Sequence, residues 1–191
     1  CKRKAQVRRF REFWERRFVE TRPYLTYEEL REDSPQADVY VTGSDQVWNP
    51  RTMFGDAAFF LGFGDSGTRR IAYSASFGKA SVPDAMKADY SSRLKRYDAI
   101  SVRENAGRRL VEELSGKKAE VVCDPTLLLE KSDYESLTEG VPSLVREPYL
   151  LAYALDYAYN PRPAISRLIE ETSKKLHLKV VYLVCGNTNE F

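Results

Sequence analysis

The stretch "DVYVTGSDQVWNP" (residues 38–50) sets the reading of everything around it. Val39 and Val41 alternate with Tyr40, the two-residue period of a strand. Gly43, Ser44, Asp45, Gln46 and Asn49 then put five small or polar residues into seven positions, with Val47 and Trp48 among them. A strand that runs straight into such a loop either ends in a self-satisfied turn or presents a set of hydrogen-bonding groups. Downstream, "RRIAYSAS" (69–76), "DAISV" (98–102) and "AEVVCDP" (119–125) repeat the pattern, and "FFLGF" (59–63) reads as a further short strand. Between them lie two helices. Pro83 opens one, with Met86, Tyr90, Leu94 and Tyr97 on its inner face. "RENAGRRLVEEL" begins the other, with Ala106, Leu110, Val111 and Leu114 inward and Gly116 as its stop.

Strands alternating with helices imply crossover units and a mostly parallel sheet, hence an α/β, Rossmann-like domain. Residues 138–148, "TEGVPSLVREP", carry two prolines and a glycine and read as a linker. "YLLAYAL" (149–155), a helix marked by Ile165, Leu168, Ile169 and Leu176, and "KVVYLVC" (179–185) then start a second βαβ pattern. The expected organisation is a first domain over 1–145 and the start of a second, truncated one over 146–191.

The 191 residues are 42% apolar and 30% charged, a globular balance, and no apolar run has the length of a membrane span. No secretory signal opens the chain. Cys1, Cys123 and Cys185 are widely spaced, and the last two end apolar runs, which points to buried reduced thiols and a reducing cytoplasm. The net charge of +2 is uneven: residues 1–22 hold nine Lys/Arg against Glu12, Glu15 and Glu20. Within them Val7, Phe10, Trp14 and Phe18 recur at steps of three and four, an amphipathic helix with an aromatic stripe. Packing of the stripe on the domain is the expected arrangement; a basic helix of this kind also suits an anionic membrane surface or nucleic acid.

In open parallel sheets ligands bind beyond the carboxyl ends of the strands. Four segments are therefore expected on one rim: "GSDQVWN" from Gly43, "SFGKAS" from Ser76 through Gly78, "REN" (Arg103, Glu104, Asn105), and "DPT" from Asp124. Arg103 leaves a strand and enters a helix, where unpaired N–H groups and the positive dipole end favour an anion. Its guanidinium adds a two-pronged donor for phosphate or carboxylate. The competing reading pairs Arg103 with a neighbouring acid such as Asp124. Ser44, Asp45, Gln46 and Asn49 beside a Trp suit recognition of a polyol, and equally suit a loop that satisfies its own backbone. "GFGDSG" (62–67) precedes no helix and is not a dinucleotide fingerprint. His177, the lone histidine, sits near a helix end among lysines, where a solvated or capping role is expected, and a single histidine argues against a hydrolase triad. Asp156, Tyr157 and Tyr159 follow the strand at 149–155 and are further candidates to face a cleft.

The blocks "ADVYVTGSDQVWNP", "FFLGFG", "RIAYSASFGK", "RYDAISVREN" and "AEVVCDPTLLL", in this order, resemble the polysaccharide pyruvyl transferase family over about residues 7–155. The resemblance implies transfer of the enolpyruvyl group of phosphoenolpyruvate onto a sugar as a pyruvate ketal, with no metal or organic cofactor. It implies a glycosyltransferase-B-like pair of Rossmann-like domains. Members usually begin with a strand and a Gly-rich loop ahead of the basic helix, which this sequence lacks, and carry a His- and Arg-bearing donor segment deep in the second domain. Donor binding therefore carries over to Arg103 of "SVREN", with Glu104 and Asn105 beside it. Gly43, Ser44, Asp45, Gln46, Asn49, Ser76, Gly78 and Asp124 are expected to line the cleft. Expected partners are phosphoenolpyruvate and a carbohydrate acceptor, with no nucleic acid and a membrane surface as an option for the basic helix. Two other classes fit parts of this pattern: a nucleotide-sugar glycosyltransferase on the same fold, and a non-enzymatic glycan- or anion-binding module.

Overall fold

A computed structural model describes residues 2–143, 145–153 and 162–183. Two compact units divide the chain, Cys1–Asp133 and Tyr134–Phe191. Asp156, Tyr157, Tyr159, Cys1 and Cys185 lie outside the described residues.

The first unit runs α1 (Lys2–Arg17), α2 (Tyr27–Glu32), β1 (Val39–Thr42), β2 (Arg69–Ala75), α3 (Asp84–Leu94), β3 (Ala99–Val102), α4 (Asn105–Ser115) and β4 (Glu120–Val121). The four strands are all parallel, in the order β1-β2-β3-β4. Their carboxyl ends therefore share one edge, and the four polar segments expected on a common rim do follow those ends. The sheet is a mixed α/β, Rossmann-like arrangement.

The core forms around Trp48, which is fully buried. Its ring stacks on Phe60 at 5.4 Å and meets Phe77 and Tyr97 edge-on at 5.4 and 5.5 Å. The polar atoms are satisfied as well: the indole Nε1 donates to the Phe59 carbonyl, and Tyr90 OH donates to the Trp48 carbonyl. Tyr90 and Leu94 of α3 and Tyr97 just after it are fully buried, with Met86 packed against them at the edge of the core. On α4, Leu110 and Val111 are buried, and Gly116 ends the helix at φ 72°. These are the inner faces that the periodicity of the two helices predicts.

Three expectations need correction. "FFLGF" is not a strand: Ala57–Phe60 is a 3₁₀ turn, capped by Asp56, whose carboxylate accepts from Ala58 N, and ended by Leu61 in a left-handed conformation. The apolar run exists because Phe60 and Leu61 must reach the core, and over five residues burial in a turn and burial in a strand leave the same composition. Cys123 is exposed, because β4 is only two residues long and lies at the sheet edge. The aromatic stripe of α1 is not packed away: Val7, Phe10, Trp14 and Phe18 are 59, 70, 49 and 50% exposed. Trp14 and Phe18 stack on each other, 4.4 Å apart, instead of on the core.

One residue with no sequence signal holds the entry to β2. Arg70 is buried, and its guanidinium donates to the carbonyls of Leu61, Phe63, Gly64, Asp65 and Thr68. A planar group with five donors gathers the carbonyls of an irregular loop that has no ladder to join. Burial lowers its pKa.

Helix α5 (Lys131–Thr138) spans the boundary between the units, and the second unit continues with β5 (Tyr149–Tyr153), α6 (Arg162–Leu176) and β6 (Lys179–Leu183). The two strands pair in parallel, giving the expected βαβ pattern. His177 directly follows α6 at φ 52°, exposed at the helix end, as a terminal residue should be.

Candidate functional site

β1 and β4 are the outer strands of the sheet, yet the segments following them meet above its carboxyl edge. Ser44 Oγ donates to Asp124 Oδ2 at 2.6 Å, joining residues 80 positions apart. Arg103, at the end of β3, lies between them. Its Nη1 donates to the same Asp124 oxygen at 3.1 Å and to Ser44 Oγ at 3.4 Å, while Nη2 is 3.7 Å from Asp45 Oδ1. The Arg103 side chain keeps 32% of its surface exposed. Its backbone N–H is fixed on the Ala75 carbonyl, which sets where the side chain leaves the sheet.

Asp124 is the hub. It caps the 3₁₀ turn Pro125–Leu128, with Oδ1 accepting from Thr126 N and Thr126 Oγ1 while Oδ2 serves Ser44 and Arg103. Ser44 first, then the two bonds from Thr126 and the one from Arg103, hold its carboxyl well below the usual carboxylate range. At neutral pH it is an ionised anchor and has no proton to give.

A second layer braces the first. Glu104 precedes α4 in extended conformation, and its Oε1 accepts from Ser76 Oγ and Phe77 N at 2.9 and 3.1 Å. Ser76 Oγ in turn accepts from Gly78 N. Asn49, buried, donates to Gln46 Oε1 at 2.6 Å and accepts from Arg51 N. Gly78 closes this layer at φ +59°, where an added Cβ would stand 2.2 Å from Gln46 Oε1 and 2.9 Å from Asn49 Nδ2. Asp45 also has a positive φ, 86°, which Asp tolerates better than most residues, and its Oδ1 accepts from the adjacent Gln46 N.

The candidate residues thus sort by position. Ser44, Asp45, Arg103 and Asp124 form one cluster. Gln46, Asn49, Ser76, Gly78 and Glu104 are joined to one another or to the backbone around it. Gly43 and Asn105 are exposed, the latter as the first residue of α4. The competing reading of Arg103 is present in the structure, since it pairs with Asp124, and its side chain remains partly exposed. Thr126 was not singled out by sequence, although a Thr two residues beyond a strand-ending Asp-Pro is the usual signature of such a cap.

The profile of one protein family, described as Polysaccharide pyruvyl transferase, matches residues 2–184 of the 191. The chain belongs to the polysaccharide pyruvyl transferase family. The family is one of transferases, and it implies a carbohydrate acceptor for this pyruvyl transferase. No curated protein and no solved structure matches the chain significantly. No helix among the described residues of the pyruvyl transferase is long and apolar enough to cross a membrane.

Proposed function

We propose that this chain carries the donor-binding rim of an enzyme that moves the enolpyruvyl group of phosphoenolpyruvate onto a sugar. Two sugar hydroxyls would add at the donor's central carbon, its terminal carbon would take up one proton, and phosphate would leave, giving a pyruvate ketal. The observation that carries this reading is Arg103 fixed at a strand end by Asp124, Ser44 and Asp45 with its side chain still 32% exposed. A pre-positioned cation of this kind holds a phosphate or carboxylate and stabilises charge on the leaving group. Ser44 and Asp45 orient it, and the layer of Gln46, Asn49, Ser76, Gly78 and Glu104 keeps the two loops in register. Asp124, held ionised, does not protonate the donor's terminal carbon, so that proton comes from another group. Residues 146–191 are, in the same reading, the start of a second Rossmann-like domain of a glycosyltransferase-B-like enzyme.

The test uses the intact protein with phosphoenolpyruvate and a panel of acceptor sugars. Phosphate release matched one-to-one by ketal, detected by mass, is the expected result. Arg103→Ala should lower the rate by about 10²–10³, the usual cost of removing one stabilising donor, while leaving the fold intact. Folded protein that yields no ketal across the panel, or binds a nucleotide sugar in place of phosphoenolpyruvate, overturns the reading. The exposed stripe on the basic helix α1 favours a second, compatible role at an anionic membrane surface.

A further inference from the structure

The loop after β1 does not end at the Arg103 cluster, and neither does the loop after β2. Six residues beyond Asp45 lies Arg51, and three beyond Ser76 lies Lys79. Together with Pro50, Val82 and the first turn of α3 these two side chains line an open depression of about 480 Å³. That lies within the range of small-ligand pockets, roughly 300–1,000 Å³. Its charge is lopsided. Lys87, also on the wall, is answered by Asp84 at 2.8 Å, whereas Arg51 and Lys79 have no carboxylate partner among the described residues. Arg51 is held at its backbone: its N–H donates to the side chain of buried Asn49. The start of α3 adds to the same sign, since Pro83 supplies no side-chain cap for the first N–H groups.

We infer that this depression binds an acidic group, phosphate or carboxylate, on the carbohydrate acceptor. The inference rests on the pyruvyl-transfer reading for the word acceptor, and on the pocket alone for the word acidic. The two loops that position Arg103 at their near ends line this pocket with their far ends. A ligand held by Arg51 and Lys79 is therefore bound by the same pair of loops that presents the proposed donor site. Two unpaired cations on a concave wall recognise a fixed anion on a sugar, and a neutral sugar gains nothing from them.

Binding of glucose 6-phosphate, glucuronate and glucose to the intact protein, measured by ligand-observed NMR, tests this. At least one acidic sugar should bind about tenfold or more tighter than glucose, and the acidic sugar that gains most tells phosphate from carboxylate. The double variant Arg51→Gln/Lys79→Gln should erase that preference, and Lys79→Gln alone should reduce it, with thermal unfolding unchanged since both side chains are exposed. Phosphoenolpyruvate binding should stay as in the wild type in these variants and be lost in Arg103→Ala. Acidic sugars that bind no better than glucose, or a preference that survives the double variant, overturn the proposal. Acidic-sugar binding without phosphoenolpyruvate binding supports the pocket and sinks the pyruvyl-transfer reading instead.

Discussion

Replacing Gly78 by alanine separates two demands that one glycine meets. The first is backbone. At φ +59° an L-residue suffers the left-handed penalty, about 1–2 kcal/mol. The second is space. The new Cβ would sit 2.2 Å from Gln46 Oε1 and 2.4 Å from Gln46 Cδ, so the Gln46 side chain must leave. Its departure breaks the 2.6 Å bond from Asn49, a buried donor, which costs about a further 1 kcal/mol. The sum is about 2–3 kcal/mol for Gly78→Ala. In a Gln46→Ala background the clash with Gln46 is gone, and the backbone part, about 1–2 kcal/mol, should remain once Asn49 Nδ2, 2.9 Å from the new Cβ, shifts into the space that Gln46 leaves. A double-mutant cycle in urea, followed by circular dichroism, should therefore return a coupling of about 1 kcal/mol between positions 46 and 78. A coupling near zero would mean that the 46–49–78 layer does not exist in solution. A total below about 0.5 kcal/mol would mean that the loop is free to change shape, and with it the support proposed for Arg103.

Trp48→Ala should cost about 3–5 kcal/mol and Trp48→Phe much less, by chemical denaturation, because the phenyl ring keeps contact with Phe60 and the Phe59 carbonyl keeps its bond from Thr42. The depressed pKa of Asp124 stabilises the folded state above its unfolded value of about 3.9, and that contribution disappears as pH falls toward the folded value. Wild type should thus exceed Asp124→Asn in stability by a constant margin from pH 6 to about pH 4, and the margin should begin to close only below that; urea midpoints that coincide at pH 6, or stay parallel well below pH 4, would contradict the anchoring role. The basic helix should bring the protein down with anionic vesicles at low salt, and Arg8, Arg9, Arg16 and Arg17 changed together to Gln should abolish it; sedimentation with neutral vesicles alone would exclude the electrostatic reading.

The parts legible in the sequence are those governed by local period and chain order. β1, β2, β3, α3 and α4 announce themselves through alternation or helical spacing, and the rule for open parallel sheets places their following loops on one edge. The burial of Trp48 behind the polar loop follows from its size. What was not legible depends on partners far away in sequence. Nothing local to Ser44 points to Asp124, 80 residues on, and nothing local to Glu104 points to Phe77 N, 27 residues back. Arg70 looks like any charged residue at a strand start, because its five carbonyl acceptors belong to a loop whose path the sequence does not state. Phe60 misled by composition: the core needs an aromatic there and is indifferent to whether a strand or a turn delivers it.

If Arg103 holds the donor as proposed, the carboxylates around it also set a toll on entry. With Asp124 at 3.1 Å and Asp45 at 3.7 Å, its charge is already answered within the protein. An arriving anion takes part in an exchange, displacing or sharing with fixed counter-ions that do not diffuse away. Chloride or acetate, with one charge to offer, gains little by the trade. An anion carrying several charges and several oxygens gains more than it must displace. In the proposed reaction the cluster would therefore filter by valence before it recognises shape, and would keep the guanidinium in place between turnovers without leaving it open to every small ion in the buffer.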